Sequence, residues 1–193
     1  MYITTQYIII YQSFINLTTH FASGNKNWYF HTEMEVKCKK QCTNMDLEIV
    51  IGNITHLEEI TRFQMDMAME SEGTSLDYER VHNGVKAVLE DEAKGRYIIA
   101  KVNEEAVGCL MITREWSDWN CGWYWWIQSV CVHPNYRERG IYKTMYGKVL
   151  EFAKEENVSQ IRLYVDKNNT TAQRVYQRLG MEECHYCMYE SKA

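Results

Sequence analysis

The stretch from Val130 to Tyr142 limits the fold more than any other. Val130-Cys131-Val132 ends an apolar strand, His133 to Gly140 form a basic turn, and an amphipathic pattern begins at Ile141. The first turn of a helix leaves backbone N–H groups without intrahelical partners and carries the positive end of the macrodipole, so such a unit suits an anionic phosphate. Gly140 lets the backbone come close, and Arg137 and Arg139 add cationic side chains beside the same turn. Successive amides in a turn of this kind form a concave anion nest. By itself an Arg-x-x-Gly turn is common in solvated loops, so more of the chain is needed to give it meaning.

The second half supplies it. A strand-like run, Ile161-Arg162-Leu163-Tyr164-Val165, precedes Asn169-Thr170-Thr171-Ala172-Gln173-Arg174-Val175-Tyr176-Gln177-Arg178-Leu179-Gly180-Met181. From about Met45 to Glu190 the chain resembles the GNAT superfamily of N-acetyltransferases. That family's order of Val-x-Pro, Arg-x-x-Gly, helix, strand and Asn-x-x-Ala-x-x-x-Tyr-x-x-x-Gly is met in sequence and spacing. The resemblance implies an α/β (mixed α+β) fold: one domain whose central, mostly antiparallel sheet is splayed at the cofactor site and flanked by helices. It also implies acetyl-CoA as acetyl donor. One departure is Tyr142, where many family members carry Gly or Ala; backbone donors are unaffected by it.

The chain has 193 residues, is 46% hydrophobic and contains one proline, enough for a single well-buried core. The first 44 residues differ in character. Residues 1–25 hold no Asp, Glu, Lys or Arg, and residues 1–44 are expected to be a poorly ordered or non-essential extension of a domain spanning 45–193. The run Tyr7-Ile8-Ile9-Ile10-Tyr11 is too short to span a bilayer and lacks a preceding basic segment, so a cytoplasmic protein with no membrane partner is expected. Removing the four Lys and two Glu before Met45 from the totals of 21 and 26 leaves 17 cationic against 24 acidic residues, a net −7. That balance argues against nucleic acid and for a cationic substrate. The seven cysteines are odd in number and scattered, which implies reduced thiols. Cys184 and Cys187 have only the distant Cys38 and Cys42 as a matching pair, so no metal is expected. A homodimer is compatible with all of this.

The periodicity predicts a first strand at Met45–Ile51, helices from Asn53 or Thr55 to Met67 and from Asp77 to Leu89, and strands at Tyr97–Val102, Ala106–Thr113 and Trp123–Val132. Glu70 to Ser75 read as a polar connection, and Trp116 to Gly122 as an interruption of the sheet. A last strand is predicted near Glu183–Tyr189.

Acetyl transfer from a thioester to an amine requires a grip on coenzyme A, a polarised carbonyl, a base for the ammonium and an acid for the thiolate. By resemblance, the cofactor would be held by the amides of Val130 and Val132, by Arg137, Arg139, Gly140, Ile141 and Tyr142, and by Asn169, which also suits a helix cap. Tyr176 stands where the family has its acid, although a Tyr completing the core would look the same. Some family members place a Glu on the strand before the turn; here that stretch reads Trp125-Trp126-Ile127-Gln128-Ser129, and Gln128 accepts no proton. Glu115 and Asp118 lead the candidates for base because they flank a strand end, with Glu70, Glu72 and His133 behind them. Glu70, Glu72, Trp116 and Trp119 are the candidates for binding a cationic acceptor. Three readings follow: transfer to a small or peptide amine, transfer to a protein Lys or N-terminus, or a catalytically silent acyl-CoA-binding sensor or interaction module, which the missing Glu keeps open.

Overall fold

The computed structural model describes residues 45–192. Cys38, Cys42 and the expected extension 1–44 lie outside them. Five strands lie in the order β1-β2-β3-β4-β5: β1 (Leu47–Ile51), β2 (Arg96–Val102), β3 (Glu105–Ser117), β4 (Gly122–Val132) and β5 (Gln160–Arg162). The first four pair antiparallel; β5 joins β4 in parallel through Tyr124↔Gln160, Trp125↔Ile161 and Trp126↔Arg162. A parallel neighbour needs a crossover. That crossover is helix α3 (Ile141–Glu155); α1 (Leu57–Glu72) and α2 (Tyr78–Glu90) lie between β1 and β2, and α4 (Thr170–Arg178) follows β5.

Period-two alternation explains why the middle of the sheet is apolar on both sides. Ile98, Ala100, Leu110, Ile112, Trp125, Ile127, Val130 and Val132 cluster with Ile141, Met145, Val149, Ala153, Ala172 and Tyr176 of α3 and α4. Their neighbours Tyr97, Ile99, Cys109, Met111 and Cys131 cluster with Ile60, Phe63 and Met67 of α1 and Val85 of α2. Two cores therefore sandwich one sheet.

Four expectations are corrected. Helix α1 runs on to Glu72 and ends only where Gly73 adopts φ +61°, so Glu70 and Glu72 belong to its last turns rather than to a loop. The stretch after Thr113 does not break the sheet: β3 and β4 form a long hairpin whose turn is Asp118–Cys121, with Trp116↔Trp123 the last pair but one. β5 is shorter than predicted, ending at Arg162. The last predicted strand does not form; residues 181–192 have no regular structure, and Tyr186 and Tyr189 are exposed. An alternating pattern makes a strand only where an edge offers hydrogen bonds, and β5 has only three residues in its ladder.

Candidate active site

Strand β4 is distorted just before the basic turn. Cys109 faces Cys131 and Met111 faces Gln128, so Ser129 and Val130 together oppose Leu110, a β-bulge with Ser129 in the left-handed region at φ +52°. Beyond the bulge the His133 N–H donates to the Val107 carbonyl at 2.8 Å. Alternation then turns the N–H of Val132 toward the other edge of β4. There β5 pairs only as far as Trp126, so the two strands part beside the bulge.

A single 3₁₀ turn, Pro134–Tyr136, leads into the basic turn. Gly140 caps α3 in the left-handed region at φ +80°, and no side chain caps the helix N-terminus. A Cβ built on Gly140 meets nothing within 4 Å. The N–H groups of Ile141, Tyr142 and Lys143 thus begin a helix without a capping side chain. Glu138 is also left-handed at φ +62°. Non-glycine residues held in this region mark places where the surrounding fold overrides local preference.

Arg137 does not stand free beside the turn. Its Nε donates to the Val132 carbonyl at 2.8 Å, and its two terminal nitrogens fork onto Glu70 at 2.6 and 2.7 Å. The guanidinium thereby ties three elements together: the end of β4, the basic turn and the last turns of α1. Glu70→Ala should loosen this turn and weaken coenzyme A binding about five- to tenfold by stranding a mostly covered guanidinium. Calorimetry on the folded variant checks it, and unchanged affinity would make the fork incidental. Arg139 lies over the Tyr136 ring at 5.5 Å and reaches Met45 Sδ at 3.8 Å.

Tyr176, on α4, is 4% exposed and meets Tyr142 edge to face with centroids 5.8 Å apart. Burial raises both phenols well above their ordinary values, so both are neutral at physiological pH. Asn169 caps α4, its side chain accepting from the Ala172 N–H at 3.0 Å.

The structure therefore gathers Val130, Val132, Ile141, Tyr142 and Tyr176 into one cluster beside Gly140. It does not gather the acids. Glu115 faces Tyr124 five residues before the bulged Ser129, about 16 Å along a strand rising ~3.3 Å per residue. It accepts from the Trp126 indole and pairs with Arg162 at 3.4 Å, while the Arg162 guanidinium lies 4.1 Å from the Tyr124 ring centroid. Asp118 is on the hairpin tip, bonded to the Trp119 N–H at 2.9 Å. Trp119 is 91% exposed on the same tip. Trp116, next to Glu115 in the strand, points to the opposite face of the sheet and packs edge to face on Trp123. Glu72 is exposed at the end of α1. His133 caps the 3₁₀ turn through Nδ1 and packs on Tyr136. Sequence reasoning missed Asp66. Burial pushes the Cys131 thiol up to about 12, and the carboxylates of Glu70 and Asp66 add to that while Arg137 opposes it. Asp66 and Glu70 stand one helical turn apart on α1; the first shows in the sequence only as one more exposed charge on an amphipathic helix.

Among the described residues no group of three or more His, Cys, Asp or Glu is placed to hold a metal ion, and no helix is long and apolar enough to cross a membrane.

Comparison with known proteins agrees with this fold. A possible acetyltransferase from Clostridium difficile 630 is 39% identical, with TM-score 0.72 over 78% of this chain and 99% of that one. The aminoglycoside N-acetyltransferase AAC(6')-Iy in complex with CoA shares the fold at 19% identity, with TM-score 0.64 over 77% of this chain and 96% of its own. GCN5-related N-acetyltransferase 6, chloroplastic, of Arabidopsis thaliana is 34% identical over 68 residues, 35% of this chain. The match spans only 24% of that relative's length. The model of the acetyltransferase (GNAT) family matches residues 57–181, well over half of the chain, and on that match the protein belongs to the GNAT family.

Proposed function

We propose that residues 45–193 transfer the acetyl group of acetyl-CoA to a primary amine. The observation that carries this is the conjunction of the bulge in β4, the α3 N-terminus without a side-chain cap behind Gly140, and the buried phenol of Tyr176 in one cluster. Acetyl-CoA supplies the activated acyl group and a thiolate leaving group. The first-turn amides from Ile141 to Lys143 hold its pyrophosphate, and Val132 N–H donates at the splayed edge, where a fixed donor polarises a carbonyl without reorganisation. Arg137 takes the role of positioning the turn through its fork to Glu70, in place of direct phosphate contact.

Tyr176 gives its proton to the departing sulfur. Burial raises the phenol, and a thiolate forming in the same dry site is raised by the same desolvation, so donor and acceptor remain matched. Asp66, exposed on α1 one helical turn before Glu70, takes the role of carboxylate for the amine proton. Glu115 and Asp118 are withdrawn from this role because of their distance and their partners. Preference for a cationic acceptor now rests on the net −7 of the domain rather than on an acidic pocket.

An acceptor screen following thiol release from acetyl-CoA tests the proposal. Release that depends on an added amine, with polyamines and basic peptides ahead of neutral amines and the advantage shrinking at high salt, is expected. Saturable binding of acetyl-CoA with no release across the panel would favour the sensor reading.

A further inference from the structure

Two phenols lie buried where α3 and α4 meet. Tyr142 is 6% and Tyr176 4% exposed, and neither hydroxyl has a hydrogen-bond partner among the described residues. Tyr146 stacks on Tyr142 from one turn further along α3, with centroids 6.2 Å apart. Ring packing explains the rings but not the oxygens: Phe would make the same edge-to-face and stacked contacts without desolvating a hydroxyl. Two such hydroxyls, in the cluster that also contains Val130, Val132 and Ile141, point to a ligand atom that accepts from both.

Resting on the acetyl-transfer reading above, we propose that Tyr142 is a second hydrogen-bond donor to the sulfur of coenzyme A, working beside Tyr176. In the step, the amine nitrogen forms the new bond to the acetyl carbon, and the carbon–sulfur bond breaks with its electron pair going to sulfur. The proton of Tyr176 moves to that sulfur. Tyr142 keeps its own proton and donates a hydrogen bond to the same atom, lowering the energy of the charge before it is neutralised. The proton lost by the amine passes through Asp66 to solvent, from which Tyr176 is reprotonated. Sulfur accepts more than one hydrogen bond, so one atom satisfies both buried oxygens.

Calorimetric titration with coenzyme A and with desulfo-coenzyme A, alongside thermal unfolding of the free protein, tests this. The parent protein should prefer coenzyme A. Tyr142→Phe should reduce that preference about five- to tenfold, the upper range of one hydrogen bond to an uncharged group such as the coenzyme A thiol, while leaving desulfo-coenzyme A affinity and unfolding temperature undiminished. Tyr146→Phe is the packing control, because its ring borders Tyr142 without a role at sulfur. No preference in the parent, an unchanged preference in Tyr142→Phe, or the same reduction in Tyr146→Phe would overturn the inference. Failure of either nucleotide to bind the parent would overturn the acetyl-transfer reading itself, and this one with it.

Discussion

Gly140→Trp is expected to lower the affinity for coenzyme A by more than a hundredfold while leaving the protein folded. Gly140 sits at φ +80°, so any side chain there carries left-handed strain of about 1–2 kcal/mol. That cost is tolerable because a Cβ at this position meets no atom within 4 Å. An indole would fill the space in front of the α3 N-terminus, where the pyrophosphate is proposed to sit. Loss of two hydrogen bonds to a charged group, at about 1.5–3 kcal/mol each, corresponds to more than two orders of magnitude in Kd. Calorimetry on the variant, with its unfolding temperature measured in parallel, separates lost binding from lost structure. Full affinity in a folded Gly140→Trp protein would move the site elsewhere.

Tyr176→Phe should lower kcat about a hundredfold or more, the lower end of what a positioned acid contributes. Coenzyme A affinity should change far less, since one hydroxyl is removed and the ring remains. Stability should not fall: the Tyr176 hydroxyl is buried without a partner, so its removal abolishes a desolvation cost. The pH dependence is also fixed in sign. Burial raises the phenol, so an alkaline decline in kcat/KM that belongs to Tyr176 lies above the ordinary phenol value of about 10 and disappears in the variant. A core-filling Tyr predicts the reverse pattern, with unchanged kcat, and single-turnover kinetics under limiting chemistry distinguishes the two.

The strand–turn–helix at Val130–Tyr142 was legible because each part has a local cause: apolar alternation, a Pro after the strand, a Gly at the cap. Helix α2 was legible for the same reason, with Asp77 capping it through the Arg80 N–H at 2.8 Å. What escaped were features set by distant residues. The reach of α1 to Glu72 is supported by the fork from Arg137, 67 residues away; a polar run such as Glu70-Ser71-Glu72 reads equally well as a helix end or a loop. The acids were grouped as one acceptor patch on the strength of sequence proximity to Trp116 and Trp119. The ladder separates them, because Glu115 and Trp116 leave the strand on opposite faces and the hairpin carries Asp118 beyond the sheet. Ser129 has no sequence mark at all. Its left-handed φ follows from the count of residues opposite Leu110, which only the paired strands define. Tyr142 appeared as a departure from a small residue, and its burial against Tyr176 is visible only once α3 and α4 are packed.

The central claim is that one segment, from the β4 bulge to the first turn of α3, seats coenzyme A. A backbone amide NMR titration with coenzyme A addresses it directly, since the proposed contacts are main-chain N–H groups. The account predicts saturable shifts that are largest at Val130, Val132, Gly140, Ile141 and Tyr142, with the Asp118–Cys121 hairpin turn unmoved. Saturable shifts centred on that turn or on α2, or no saturable shifts at all, would contradict it.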